Sequence, residues 1–141
     1  MNVDTKPLTI AASDPGYVTG KARLLLRLEG LAAFIAALLA YYALSQTWWL
    51  FAILFLGPDL SFAAYGLGPK IGATVYNTAH TYVTPAVVGL AGYALAHPML
   101  IAIAVIWIAH IGADRALGYG LKYPTGFGDT HLGRIGKTKN Q

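Results

Sequence analysis

Four long apolar segments, joined by connections of only two or three residues, constrain this chain more than any other feature of it. Residues 22–44, 48–67, 70–95 and 99–121 each provide about the ~20 residues that an α-helix needs to cross a bilayer. A segment in hydrocarbon must satisfy its own backbone hydrogen bonds, which makes helix the only workable conformation for an isolated span. Connections this short set consecutive helices side by side and antiparallel. The expected fold is all-α: an integral membrane up-down bundle of four transmembrane helices within residues 21–123. A polar arm (1–20) precedes the bundle and a basic tail (124–141) follows it.

Composition agrees with a membrane protein and argues against an ordinary soluble domain, with 56% of residues hydrophobic and only 11% charged. The formal net charge of +4 would suit nucleic acid, but the basic residues flank apolar segments and form no stripe interleaved with aromatics. The expected partner is the lipid bilayer, with a homo-oligomer or a larger membrane complex open, and no nucleic acid. Apart from Arg115, every lysine and arginine lies at the start (Lys6, Lys21, Arg23, Arg27), in the second connection (Lys70) or in the tail (Lys122, Arg134, Lys137, Lys139). The positive-inside rule then puts both termini in the cytoplasm of a multi-pass protein of the inner (plasma) membrane. Trp48 and Trp49 fall at the outer interface, Tyr119 and Tyr123 at the inner one. Residues 1–20, with Asp4, Pro7, Asp14 and Pro15, lack the basic start and apolar core of a signal peptide and read as a retained polar arm.

Polar groups within the spans carry the functional information, because ionisable side chains in hydrocarbon are costly enough to be functional candidates by default. At ~1.5 Å per residue, Glu29, Asp59, Asn77, His80, His110 and Asp114 all fall ~10–16 Å above the inner ends of their helices. Every helix thus supplies at least one polar group to one layer. His110 and Asp114 are i,i+4 and Asn77 and His80 are i,i+3, so each pair shares a helix face. Pro58 and Pro85 predict kinks in the second and third helices, the first of which would aim Asp59 inward. Glu29, Asp59 and Asp114 against Arg115 leave an excess of negative charge that protons or a cation must compensate.

A divalent metal, zinc or iron, is the leading compensating partner. The chain has no cysteine, so its ligands would be imidazole and carboxylate, from Glu29, Asp59, His80, His110 and Asp114. The set resembles in composition the di-iron carboxylate bundles, although His110-x-x-x-Asp114 stands where those have Glu-x-x-His. A single zinc held by His80, His110 and one carboxylate, with an open water position, would suit hydrolysis of a lipid-like or apolar substrate. In that scheme Glu29 or Asp114 serves as acid or base and Arg115 or Lys122 holds an anionic substrate group. Asn77, Tyr119 and His131 form a supporting shell. Three other readings stand beside it: His80 and His110 as the axial ligands of a haem, a proton or ion relay, and a non-enzymatic accessory subunit whose polar layer only joins helices.

The block A-H-I-G-A-D-R-A-L-G-Y-G-L-K-Y-P-T-G-F-G-D-T-H-L-G-R-I, Ala109 to Ile135, resembles the bacterial membrane family known as domain of unknown function 4260. R-L-E-G at Arg27 to Gly30, G-P-D-L-S at Gly57 to Ser61 and Y-N-T-A-H at Tyr76 to His80 resemble its other blocks, in order, over residues 23–135. The resemblance implies four spans and no established activity. It also implies that Asp129, Thr130 and His131 belong to the family pattern, which favours a tail folded back over the inner mouth of the bundle.

Overall fold

The computed structural model describes residues 16–44 and 46–136. Most of the polar arm, with Lys6, and the tail lysines Lys137 and Lys139 lie outside the described residues. The chain forms helices α1 (Gly20–Ala43) and α2 (Trp48–Phe55), a 3-10 helix (Gly57–Leu67), then α3 (Pro69–Ala79), α4 (Val83–Ala94) and α5 (Pro98–Leu117). Two short strands follow, β1 (Asp129–Thr130) and β2 (Gly133–Arg134). Among the described residues, three helical stretches are long and apolar enough to cross a membrane: α1, α2 with its 3-10 continuation, and α5. Their outer faces carry exposed large apolar side chains such as Leu24, Leu39, Ile53 and Leu60. An apolar exterior of this extent is compatible with a membrane protein.

Helix α5 is the centre of the molecule and packs against α1, α4 and α2, while α3 packs against the 3-10 helix. Its contact with α1 is a glycine crossing. A Cβ on Gly30 would lie 2.3 Å from Arg115 Cβ, and one on Gly112 would lie 2.7 Å from the Phe34 nitrogen. Only a hydrogen fits at either position, and the backbones close to the distance that small residues permit. Farther along, Tyr41, Ala102 and Ile106 form a buried core against which Leu50, Phe51 and Phe55 pack.

Two of the expected spans are not continuous α-helices. The second ends as an α-helix at Phe55 and continues from Gly57-Pro58 as eleven residues of 3-10 helix. Runs of that length are uncommon and often mark functional segments; this one opens with Asp59 in its first turn. The third expected span, 70–95, is divided at residues 80–82 into α3 and α4. Pro85 has no N–H to offer Thr81, and its ring clashes with the carbonyl four residues back, so the helix gives way there. The carbonyls freed at the break find side-chain donors. Thr84 Oγ1 donates to the Thr78 carbonyl (2.5 Å), Trp107 Nε1 to Ala79 (2.6 Å) and an Arg115 Nη2 group to His80 (3.2 Å). A chain break away from water persists only with such replacements.

Helix α5 stops at Leu117, four residues before its expected end, because Gly118 takes the left-handed φ of 96° that closes a helix. The chain then turns back on itself. Antiparallel strands β1 and β2 pair Asp129 with Arg134 and Thr130 with Gly133, and Thr130 also bridges to Lys122. The Val18 N–H donates to the His131 carbonyl (2.9 Å), tying the segment before α1 to the tail. Asn77 clamps the whole assembly to α3, accepting from Lys122 N–H (2.7 Å) and donating to the Lys122 carbonyl (2.9 Å).

Candidate metal centre

Each departure from regular α-helix delivers a polar side chain to the flank of α5. Asp59 comes from the first turn of the 3-10 helix, and His80 caps the carboxyl end of α3 at the break. His110 and Asp114, one turn apart, come from α5. Nε2 of His80 and Nε2 of His110 are 3.1 Å apart. Asp59 Oδ1 is 3.6 Å from the first and 3.5 Å from the second, and Asp114 Oδ2 is 3.6 Å from both. All four ligating atoms lie within 4.8 Å of one another.

These spacings have a simple geometric reading. Four donors at ~2.0–2.1 Å from a common centre in a tetrahedron lie ~3.4 Å from each other, close to the 3.1–3.6 Å measured for five of the six edges. Most are too long for good hydrogen bonds, which fall at ~2.7–3.2 Å. The His80 tautomer is fixed by its surroundings. Its Nδ1 lies 2.9 Å from the Tyr76 carbonyl, which only accepts, so Nδ1 carries the proton and Nε2 presents its lone pair to the cluster. The Tyr76 ring stacks on the His80 ring at 3.7 Å, and Phe55 meets His110 edge-on at 5.3 Å. Both imidazoles are buried, whereas the Asp59 and Asp114 side chains are 38% and 20% exposed. The group is therefore closed on its histidine side and open on its carboxylate side.

That open side faces a cavity of about 360 Å³ lined by Asp59, Asp114, Tyr76, Tyr119, Lys122 and Phe127. The buried Lys122 ammonium donates to the Phe127 carbonyl (2.8 Å) and lies over the rings of Phe127 (3.8 Å), Tyr76 (4.8 Å) and Phe62 (5.4 Å). Burial holds its pKa below the ordinary lysine value.

The other expected site residues form a second polar region. Glu29, expected as a ligand and general base, is not in the group: it is exposed and lines a separate cavity of about 210 Å³ with Gly30, Tyr82, Arg115 and His131. The reason is angular. Gly30 is the residue pressed against α5, and its neighbour Glu29 is displaced by about 100° around the helix. Arg115 bridges the two regions, with Nη2 on the His80 carbonyl and Nη1 3.4 Å from both ring nitrogens of His131. His131 Nδ1 accepts from the Leu121 N–H (2.8 Å), and burial, then Arg115, lowers its pKa. Asn77 holds the tail and is not a ligand.

Residues that the sequence did not single out complete the surroundings. Tyr76 had a usable signal, since it stands four residues before His80, where a helix places a stacking partner. Phe62, Phe127 and Trp107 had none beyond being aromatic.

The fold and site define a small, mostly helical protein with apolar helices and an Asp-His-His-Asp group, its histidines buried, that could hold a metal ion. The profile of the family described as Domain of unknown function (DUF4260) matches residues 23–135, and the chain belongs to that family. No curated protein and no solved structure matches the chain.

Proposed function

We propose that Asp59, His80, His110 and Asp114 bind a single divalent ion, zinc or iron, and that the centre is the active site of a metal-dependent enzyme acting on a lipid-like or apolar substrate. The observation that carries the reading is the set of 3.1–3.6 Å edges between four ligating atoms drawn from three separate elements. Four electron-rich atoms at these distances repel one another unless a cation or protons lie between them. Two imidazoles and two carboxylates are the ligand chemistry that zinc and iron accept. A bound ion would act as a Lewis acid toward a substrate entering from the carboxylate side. The exposed carboxylates and the adjoining cavity support such access.

The distribution of lysine and arginine supports a membrane bundle of four spans with both termini and the cavity on the cytoplasmic side. An apolar cavity of about 310 Å³ lined by Leu54, Pro58, Ala79, Ile103 and Trp107 adjoins the two ligand-bearing turns and favours an apolar substrate portion. The geometry favours a lone ion over a haem. Two axial imidazoles on one iron would hold their nitrogens roughly 4 Å apart, twice the ~2.0 Å metal–imidazole distance, and here they are 3.1 Å apart with two carboxylates alongside.

Elemental analysis of protein purified in lipid nanodiscs tests the proposal. The expected result is stoichiometric zinc or iron in the wild type and its loss from the His80→Ala, His110→Ala double variant. A metal-free wild type, or a double variant that keeps its metal, would sink it.

A further inference from the structure

We infer that the substrate of this centre carries an anionic oxygen group, phosphate or carboxylate, and that Lys122 is the residue that holds it. The inference rests on the metal reading above and names the substrate class for that same site. Lys122 is 4% exposed, yet its ammonium makes no ion pair within 4.0 Å among the described residues. An ammonium has three donors, and one is used, on the Phe127 carbonyl. The faces of Phe62, Tyr76 and Phe127 offset part of the cost of burial and fix the head group in place, without supplying an anion.

Charge balance points the same way. Asp114 is the carboxylate whose charge reaches Lys122, but a divalent ion would neutralise it together with Asp59, which leaves Lys122 as the uncompensated charge on the cavity wall when the centre is loaded. Arg115 is poorly suited to the task, because it is engaged with the His80 carbonyl and His131 and lines the other cavity. Tyr119 lines the same cavity as Lys122. At about 360 Å³ the cavity is at the small end for ligand sites and suits a head group better than a whole amphiphile.

Metal-loaded protein in phosphatidylcholine nanodiscs is titrated with inorganic phosphate, acetate and a lysophosphatidate, with metal content measured on the same samples. The expected result is saturable binding of at least one of the three, weakened about tenfold or more in Lys122→Met and largely kept in Lys122→Arg, with metal intact in both. Binding of lysophosphatidate alone identifies a lipid head group; binding of phosphate or acetate identifies a small anion. Equal binding by wild type and a metal-loaded Lys122→Met overturns the inference and leaves the metal reading standing. A metal-free wild type overturns both. If Lys122→Met cannot be purified, the wild type with 15N-labelled lysine decides: a Lys122 side-chain resonance that shifts saturably with a probe supports the inference, and one unmoved by all three overturns it.

Discussion

The two flanks of α5 carry polar groups of similar kind and at similar depth, and they are built in opposite ways. On one flank His80, His110, Asp59 and Asp114 bring four ligating atoms together, with the His80 proton directed away from them to the Tyr76 carbonyl and His110 Nε2 as the one atom among them that a neutral ring could protonate. On the other, Arg115 supplies donors to the His80 carbonyl and His131, and Glu29 stays at the exposed edge. The second flank already carries a cation, Arg115, on the cavity that Glu29 lines. The first is a concentration of lone pairs that only a cation or added protons can neutralise. What distinguishes the two flanks is whether a cation already stands beside the polar groups.

The largest test of this contrast is a paired substitution. Asp114→Asn keeps the shape of the side chain but removes its charge, and metal affinity is expected to fall beyond the ~10–100-fold typical of outer-shell changes. Glu29→Gln, at the same depth on α1, is expected to leave affinity unchanged. Competition with a chromophoric chelator measures both, and equal losses would erase the distinction between the flanks. An intermediate effect is expected of Arg115→Met, which touches no ligand atom but releases the carbonyl of His80. Loosening that backbone should cost about tenfold in metal affinity, whereas a change in tail docking without loss of affinity would confine Arg115 to the second flank.

The smallest effect concerns His131. Its pKa is held below the ordinary histidine value of ~6.5, so the docked tail favours the neutral ring. The undocked chain takes up the proton first as pH falls, so the docking stability is present above the ordinary pKa and declines through the acid range below it. The protection of the Val18 amide relative to its intrinsic exchange rate should fall as the pH drops below the ordinary histidine value of ~6.5, since its N–H is bound to the His131 carbonyl. His131→Gln should flatten that dependence, and an unchanged slope would show that another group titrates.

Much of the site could be read from the chain because the physics is local. An ionisable residue in an apolar helix is conspicuous, and the i,i+4 spacing of His110 and Asp114 puts both on one face before any fold is known. Pro58 and Pro85 likewise predicted kinks in the second and third spans, where the structure has a change to 3-10 helix and a full break. Less could be read where the answer depended on rotation about a helix axis. Depth alone made Glu29 an equal of Asp59, and the Gly30–Gly112 crossing turned it aside. Nor could the partners of the freed carbonyls at the break be read from the chain, because Trp107 and Arg115 lie more than twenty residues away in sequence.

By itself the sequence determined that the chain is helical and apolar, that His110 and Asp114 share a helix face, and which imidazoles and carboxylates are available. Those properties follow from the composition and period of each segment. Only the tertiary structure decided that Asp59, His80, His110 and Asp114 meet within 3.1–3.6 Å across five edges, while Glu29 and Arg115 fall on the other side of α5. The physical reason is that azimuth, unlike depth, is set by which backbones can approach. Here two glycines, two prolines and a set of long-range hydrogen bonds to broken helix ends fix that approach.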